Sequence, residues 1–394
     1  MLPQLISHSP DLLQLWEEGL SLEIRDGYLL VHDVPFVNSR KAIDYGTLVS
    51  TLNLAGDKTT TPETHVAYFI GGIPCDKEGN PIHSIINSPA PQALTAQIFI
   101  HVTFSSKPAD GYKNYFDKVT TYLSIICNPA KALDDSVTER KFKVYPTEGI
   151  EDSVFQYYDS NTSRAGIGVV ADKLKGHKIA IIGLGGTGAY ILDGIAKTQV
   201  KEIHLFDGDW FLQHNAFRAP GAPNIDNLKE RQKKVDYFHG IYSRMHRGIF
   251  KHGYVEEPNL HELDAMDFVF IAIDKGEIKK PIMKYLEQIN KPFIDVGMGI
   301  HLVDDKLIGI VALTTSNQEN RDHVWNGRVS FADNQANDYT KNIQIAELNS
   351  LNAALAIIKW KKLLGFYQDL EKEGNSSYSI NVNMLLSEDQ AYVC

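Results

Sequence analysis

A chain of 394 residues is long enough for two domains with separate cores, and 43% hydrophobic with 22% charged residues is an ordinary globular composition. The formal net charge of −10, with no dense run of lysine or arginine, works against a nucleic-acid-binding surface. No apolar run nears the ~20 residues that span a bilayer, the N-terminus has no signal-peptide pattern, and Cys75, Cys127 and Cys394 form neither a CxxC pair nor a disulfide framework, so a cytoplasmic protein away from membranes is expected.

Residues 1–150 read as a smaller α+β domain. Residues 10–19 put Leu12, Leu13 and Trp16 on one face of a short helix. Residues 22–25, 28–34, 47–52, 65–70 and 96–104 carry strand patterns, with a turn at 76–80 and a helix at 114–127. The spacing of His65, Cys75 and His101 suits satisfied core or edge side chains better than a metal site. Cys75, beside a turn, reads as a half-buried thiol, with a reactive thiol as the alternative. An acidic, polar stretch from 148 to 166 is the linker.

Residues 151–370 are organised around one unit. A short apolar strand at 179–182 ends in Gly183-Leu184-Gly185-Gly186-Thr187-Gly188; a helical stretch follows at 189–197, and a second strand at 203–206 ends on Asp207. Strand, glycine turn, helix, strand and acid is the order of a dinucleotide-binding unit. Gly183 permits the tight turn, Gly185 lets backbone N–H groups approach a phosphate, and Gly188 lets the helix pack on the strand. The helix N-terminus then offers unpaired N–H groups and its positive end to an anion. A glycine turn shaped only for packing is the competing reading. Past Asp207 come Asp209 and then Asn215-Ala216-Phe217-Arg218, polar residues that a hydride-transfer enzyme has little use for.

A loop then leads to a helix at 228–238 bearing Lys229, Arg231, Lys233 and Lys234, which alone would be a solvated face. The strand at 268–273 ends on Asp274, an acid at the carboxyl end of a parallel strand, where doubly wound sheets take their ligands. A helix at 279–288 and strands at 292–296 and 308–313 follow, then Thr314, Thr315 and Ser316 in a polar loop. The last helix, 343–364, sets Leu348, Leu351, Leu355 and Ile358 on one face as core or dimer seam. Residues 371–394 read as a C-terminal tail.

This ordered set of motifs resembles the ThiF/MoeB/ubiquitin-activating-enzyme family over about residues 163–365. The resemblance implies a doubly wound, Rossmann-like adenylation domain that binds ATP and Mg2+. Such a domain adenylates the C-terminal carboxylate of a ubiquitin-like or sulfur-carrier protein, commonly as a homodimer. It implies that Gly183, Gly185, Gly186 and Gly188 hold phosphates, and that Asp207, with Asp209 beside it, holds the ribose end. Asn215, Arg218, Lys234 (with Lys233 as the fallback) and Arg164 would neutralise the triphosphate, and Asp274 would carry magnesium. Arg164, in the pair Ser163-Arg164, equally fits a surface linker.

Two features depart from the family pattern. Lys275 follows Asp274 where asparagine is common. Residues 128–393 hold no cysteine, so neither structural zinc nor a thioester on a cysteine of this domain is expected. Three fates follow for the activated carboxylate: transfer to a partner's thiol, an oxyester on Thr314, Thr315 or Ser316 with His323 as base, or transfer to Cys75. An ordinary polar loop at 314–316 is the simpler reading. The N-terminal domain is similar to an uncharacterised domain fused to bacterial ThiF-like proteins, which implies docking of a carrier or a conjugating-enzyme-like partner in a ubiquitin-like conjugation pathway. A nicotinamide- or flavin-dependent oxidoreductase and a catalytically silent nucleotide-binding scaffold remain as alternatives.

Overall fold

A computed structural model describes residues 4–89, 91–145, 153–157, 159–331 and 343–390. The chain divides into two compact units, Met1–Asp172 and Lys173–Cys394. Cys394 and the whole acidic stretch 148–152 lie outside the described residues.

The first unit is built on a six-stranded antiparallel sheet. Its strands are β1 (Ser21–Arg25), β2 (Tyr28–Val37), β3 (Ile43–Thr51), β4 (Val66–Ile70), β5 (Ile86–Ser88) and β6 (Val102–Ser105), in the order β1-β2-β3-β4-β6-β5. One face carries Leu22, Ile24, Val31, Phe69 and Phe104 and is covered by helices α1 (Pro10–Glu17) and α2 (Tyr115–Leu133). The other face holds Tyr28, Leu30 and Val49. The region expected as one strand at 96–104 is split: Phe99–Ile100 pairs with Gln92–Ala93, and β6 starts at Val102.

The second unit is a mixed eight-stranded sheet. Its strands are β7 (Lys178–Ile182), β8 (Glu202–Phe206), β9 (Ile249–His252), β10 (Phe268–Ile271), β11 (Phe293–Val303), β12 (Lys306–Ser316), β13 (Glu373–Ser379) and β14 (Met384–Gln390). The spatial order is β9-β8-β7-β10-β11-β12-β13-β14, with the first five strands parallel and the last three antiparallel. The order reverses between β7 and β10, the topological switch point of a doubly wound sheet. The central strands are continuous apolar runs because both faces are covered. Ile179, Ile181 and Phe270 meet helices α3 (Gly186–Ile195), α4 (Lys234–Tyr242) and α6 (Ala346–Leu363). Ala180, Ile182 and Val269 meet α5 (Gly276–Gln288) on the other side.

Three local expectations change. Residues 228–238 are not one helix: Arg231 has φ +49, and Trp210 bridges Lys233, so the chain turns before α4 begins at Lys234. The last helix buries Asn349, Asn352, Ala353, Ala356 and Trp360, while Leu348, Leu351 and Leu355 are only half-buried and Ile358 is exposed. The stretch read as a tail supplies β13 and β14. Among the described residues no helix is long and apolar enough to cross a membrane.

Candidate nucleotide site

The glycine turn lies at the carboxyl end of β7, and its glycines have separate reasons to lack a side chain. Gly183 has φ +91, and a Cβ there would stand 2.6 Å from the Ala272 carbonyl oxygen at the end of β10. At Gly188 a Cβ would fall 1.9 Å from the Gly183 carbonyl oxygen, which is how α3 packs close on its strand. Gly186 gives way to the Asn349 carboxamide from α6. Gly185 alone of the four faces open space, at the N-cap of α3, where the first N–H groups have no intrahelical acceptor.

Asp207 is buried and joined to that turn. Its Oδ2 accepts from the Leu184 N–H at 2.7 Å, and its Oδ1 accepts from the Asp209 N–H at 2.8 Å. The ammonium of Lys234 is 3.3 Å from Asp207 Oδ2 and 2.7 Å from Asp209 Oδ2. Lys234 is buried here because the break at Arg231 delivers it as the first residue of α4, and its N–H donates to the Asp209 carbonyl at 2.9 Å. Lys233 turns away: it donates to the Gly208 carbonyl and lies 4.1 Å over the Trp210 ring.

Asp209 also accepts from the Tyr254 hydroxyl at 2.6 Å. Burial alone would raise the Asp209 pKa, but the bonds from Lys234 and Tyr254 and the charge of Lys275 outweigh it and hold the carboxyl below its usual range. The same bond pushes the Tyr254 phenol up to about 12.

Asn215 uses its Oδ1 to accept from the Leu212 N–H at 2.8 Å, capping a short helix, Gln213–Ala216, that leads to Arg218. The Arg218 Nε is buried without a hydrogen-bond partner among the described residues. Asn349, absent from the sequence expectations, ties these parts together. Its Oδ1 accepts from Thr187 Oγ1 at 2.9 Å, and its Nδ2 donates to the Arg218 carbonyl at 3.2 Å. The only signal for it is that Asn349, Asn352, Ala353 and Ala356 share a helical face, a polar and small stripe beside the leucines.

Asp274 is exposed, three residues past the end of β10 on the edge that carries the glycine turn. Among the described residues no three His, Cys, Asp or Glu side chains form a metal cluster. Arg164 belongs to the first unit, on the short helix Ser160–Ala165. Its Nε is 2.9 Å from Glu63 Oε2 and its side chain is 67% exposed.

Ser316, one of three hydroxyls weighed as a nucleophile in what read more simply as an ordinary polar loop, is fully buried at the end of β12, opposite Phe293 at the start of β11. That is the amino-terminal edge of the parallel strands, away from the glycine turn. Thr314 Oγ1 donates to Asn375, and His323 is engaged by the Thr315 carbonyl at 2.8 Å and Asn320 at 2.9 Å, so neither dyad nor open hydroxyl exists here. The Cys75 thiol is buried and its pKa raised by that burial; burial pushes Cys127 up to about 12.

A glycine turn at the switch point, with a carboxylate-lysine group on the next strand and an arginine beside it, defines a nucleotide-binding α/β domain. Residues 158–302 match the ThiF family, and this part of the chain is a ThiF-family domain. Residues 10–160 match a domain of unknown function, DUF6791. Among solved structures, Escherichia coli MccB with MccA-N7isoASN aligns at 20% identity and TM-score 0.46, covering 59% of this chain and 71% of that one. E. coli MccB with ATP aligns at 20% identity and TM-score 0.45, covering 59% and 70%. PaaA aligns at 18% identity and TM-score 0.43, covering 57% and 67%. The comparison with curated proteins finds no match.

Proposed function

We propose that the second unit binds ATP and uses it to adenylate the C-terminal carboxylate of a peptide or protein. Arg218 carries this reading. Among the described residues its Nε is a buried cationic donor without a partner, and its backbone carbonyl is linked through Asn349 to a helix N-terminus whose Gly185 faces open space. Such a donor leaves part of its desolvation cost unmet, and a phosphate oxygen would meet it with a bond worth roughly 1.5–3 kcal/mol.

In the reaction a carboxylate oxygen attacks the α-phosphorus, the bond to the pyrophosphate oxygen breaks, and acyl-adenylate and pyrophosphate form. This needs positioning and charge neutralisation rather than a protein nucleophile. Asp207 and Asp209 would hold the ribose end, with Lys234 set between them near the α-phosphate and Asn215 fixing the approach to Arg218. Asp274 would hold Mg2+, which would offset phosphate charge; one carboxylate with phosphate oxygens and water is a normal magnesium shell. Arg164 would join only after leaving Glu63, as in a homodimer that shares arginines.

With both described thiols buried and Ser316 on the far edge, the acyl-adenylate passes to a nucleophile on a partner. A ubiquitin-like or sulfur-carrier protein fits as substrate, with the first unit docking it or a conjugating-enzyme-like partner.

Calorimetric titration of the full chain with ATP, NAD+ and FAD in magnesium buffer tests the first half. ATP binding that weakens in Arg218→Ala supports the reading, and tighter binding of NAD+ or FAD would replace it with an oxidoreductase. ATP–pyrophosphate exchange that needs an added ubiquitin-like protein tests the second half. Tight ATP binding with no exchange for any partner would leave a silent scaffold.

A further inference from the structure

Two rows of side chains run along β8 and β9 toward the nucleotide site. His204 stacks with Phe250 and Phe206 with His252, with ring centroids 5.0 and 4.2 Å apart. The next place on β8's row is Gly208, and the ring of Tyr254 lies over it: a Cβ there would come within 2.2 Å of Tyr254. The polar atoms of these rows form one chain. Glu202 Oε2 is 3.1 Å from His204 Nε2, His204 Nδ1 is 2.9 Å from His252 Nε2, and His252 Nδ1 is 2.7 Å from Glu262 Oε2. Lys178 and Lys201 face Glu202 at 3.0 and 4.0 Å, while Lys251 on β9 pairs with Asp236.

Counting protons fixes the state of this chain. A carboxylate only accepts, so His204 Nε2 and His252 Nδ1 each carry a hydrogen. The contact between the rings needs one donor and one acceptor, so the pair holds one proton more than two neutral imidazoles. A further proton would set two N–H groups against each other. Losing the extra one would set two lone pairs against each other. The clasp is therefore complete only in a middle range of pH.

We propose that His204 and His252 are positioning residues for the nucleotide site, whose shared proton clasps β8 to β9 and so holds Tyr254 on Asp209. Tyr254 follows His252 by two residues, and its hydroxyl fixes the carboxylate that shares Lys234 with Asp207. Burial lowers the His204 pKa while the Glu202 bond pulls it back, which favours His204 as the neutral ring. The effect on nucleotide affinity rests on the ATP reading above; the clasp itself does not.

Hydrogen exchange of the full-length protein reads the clasp directly. Protection of amides 250–254, taken relative to 179–182 in the central strand, should be greatest at an intermediate pH and fall about fivefold or more on both the acid and the alkaline side. His252→Gln, which still hydrogen-bonds but does not titrate, should flatten that curve. Should that variant fail to fold, Glu262→Gln, which takes the carboxylate partner away from His252 Nδ1, serves instead and should change the curve. ATP affinity should follow the same curve in the wild type. Tyr254→Phe should flatten the affinity curve while keeping the exchange curve. Relative protection that ignores pH, or that varies identically in the His252 or Glu262 variant, overturns the clasp. ATP affinity with one pH profile in the wild type and in Tyr254→Phe overturns its positioning role. A pH-dependent clasp without ATP binding would instead defeat the ATP reading alone.

Discussion

Lys118 sits in the core of the first unit, 1% exposed, its ammonium held by two neutral acceptors: Ser50 Oγ at 2.8 Å and the Val66 carbonyl at 2.7 Å. Burial pulls its pKa from 10.5 down to about 7. A shift of ~3.5 units corresponds to about 4.8 kcal/mol, an upper bound on what the charged amine costs the folded unit. The sign follows from proton counts. Below pH 7 both states bind the proton and the full cost applies. Between about pH 7 and 10.5 the unfolded chain binds more protons than the folded one, so stability rises with pH. Lys118→Met removes the charge but leaves two acceptors short of a partner, which takes back about 1–3 kcal/mol. The variant should therefore be about 2–4 kcal/mol more stable than the wild type at pH 6, and the difference should shrink by about 4 kcal/mol by pH 10. Urea unfolding of both full-length chains, followed by pulse labelling and mass spectrometry of the 115–133 peptide, measures it. Tyrosines that titrate near pH 10 do so in both proteins and cancel. A variant that is less stable at pH 6, with a difference independent of pH, would refute the reasoning and mean that the amine stays charged and well partnered.

The glycine turn makes a paired prediction. Gly188→Ala puts a Cβ against the Gly183 carbonyl and should lower the melting temperature of the second unit, whereas Gly185→Ala meets open space and should leave it within a few degrees while weakening ATP binding; equal melting losses would contradict the geometry. Arg218→Ala removes a donor without a partner among the described residues, so ATP affinity should fall about 30-fold to 100-fold, or roughly 2–3 kcal/mol, with little change in thermal stability. Ser316→Ala should leave ATP–pyrophosphate exchange unchanged, since the hydroxyl is buried in β12; lost exchange with an intact fold would return Ser316 to the reaction.

Much of the second unit is legible because its sequence is constrained by backbone sterics. Only glycine tolerates the φ of Gly183 and the approach at Gly188, so the turn announces itself, and the apolar runs at 179–182 and 203–206 follow from strands covered on both faces. Lys234 is less legible: four cationic residues stand between 229 and 234, and what selects it is the left-handed Arg231, which no local pattern requires. The polar loop at 314–316 and the C-terminal tail turn out to be one omission. Thr314 pairs with Asn375, so the hydroxyl run lies within the sheet because β13 covers it, and β13 has the sequence Glu-Gly-Asn-Ser-Ser-Tyr-Ser, too polar to read as a strand. A partner strand 61 residues away cannot be inferred from alternation alone.

The leucines of the last helix, read as core or dimer seam, are not the face that meets α3, for a related reason. They match a core stripe and Leu355 does pack against the core, yet α6 meets α3 through another set of residues, set on glycines: Gly186 is pressed by Asn349, and Gly194 by Ile357. That choice has a consequence for the site. Through Asn349 the last helix holds the start of α3 and the Arg218 backbone together, through Leu184 the turn holds Asp207, and through Tyr254 and Lys234 the acids hold each other. Three of the four lone-pair positions of the Asp207 carboxylate are thereby engaged, leaving it room for one further donor, which in the proposed reading is one ribose hydroxyl rather than both. A nucleotide entering this site would meet acids and a lysine already braced by protein, and would supply a new partner chiefly to Arg218 and the N–H groups at Gly185. In the proposed reaction, binding energy is then concentrated at the phosphate end, where a carboxylate's attack would build negative charge.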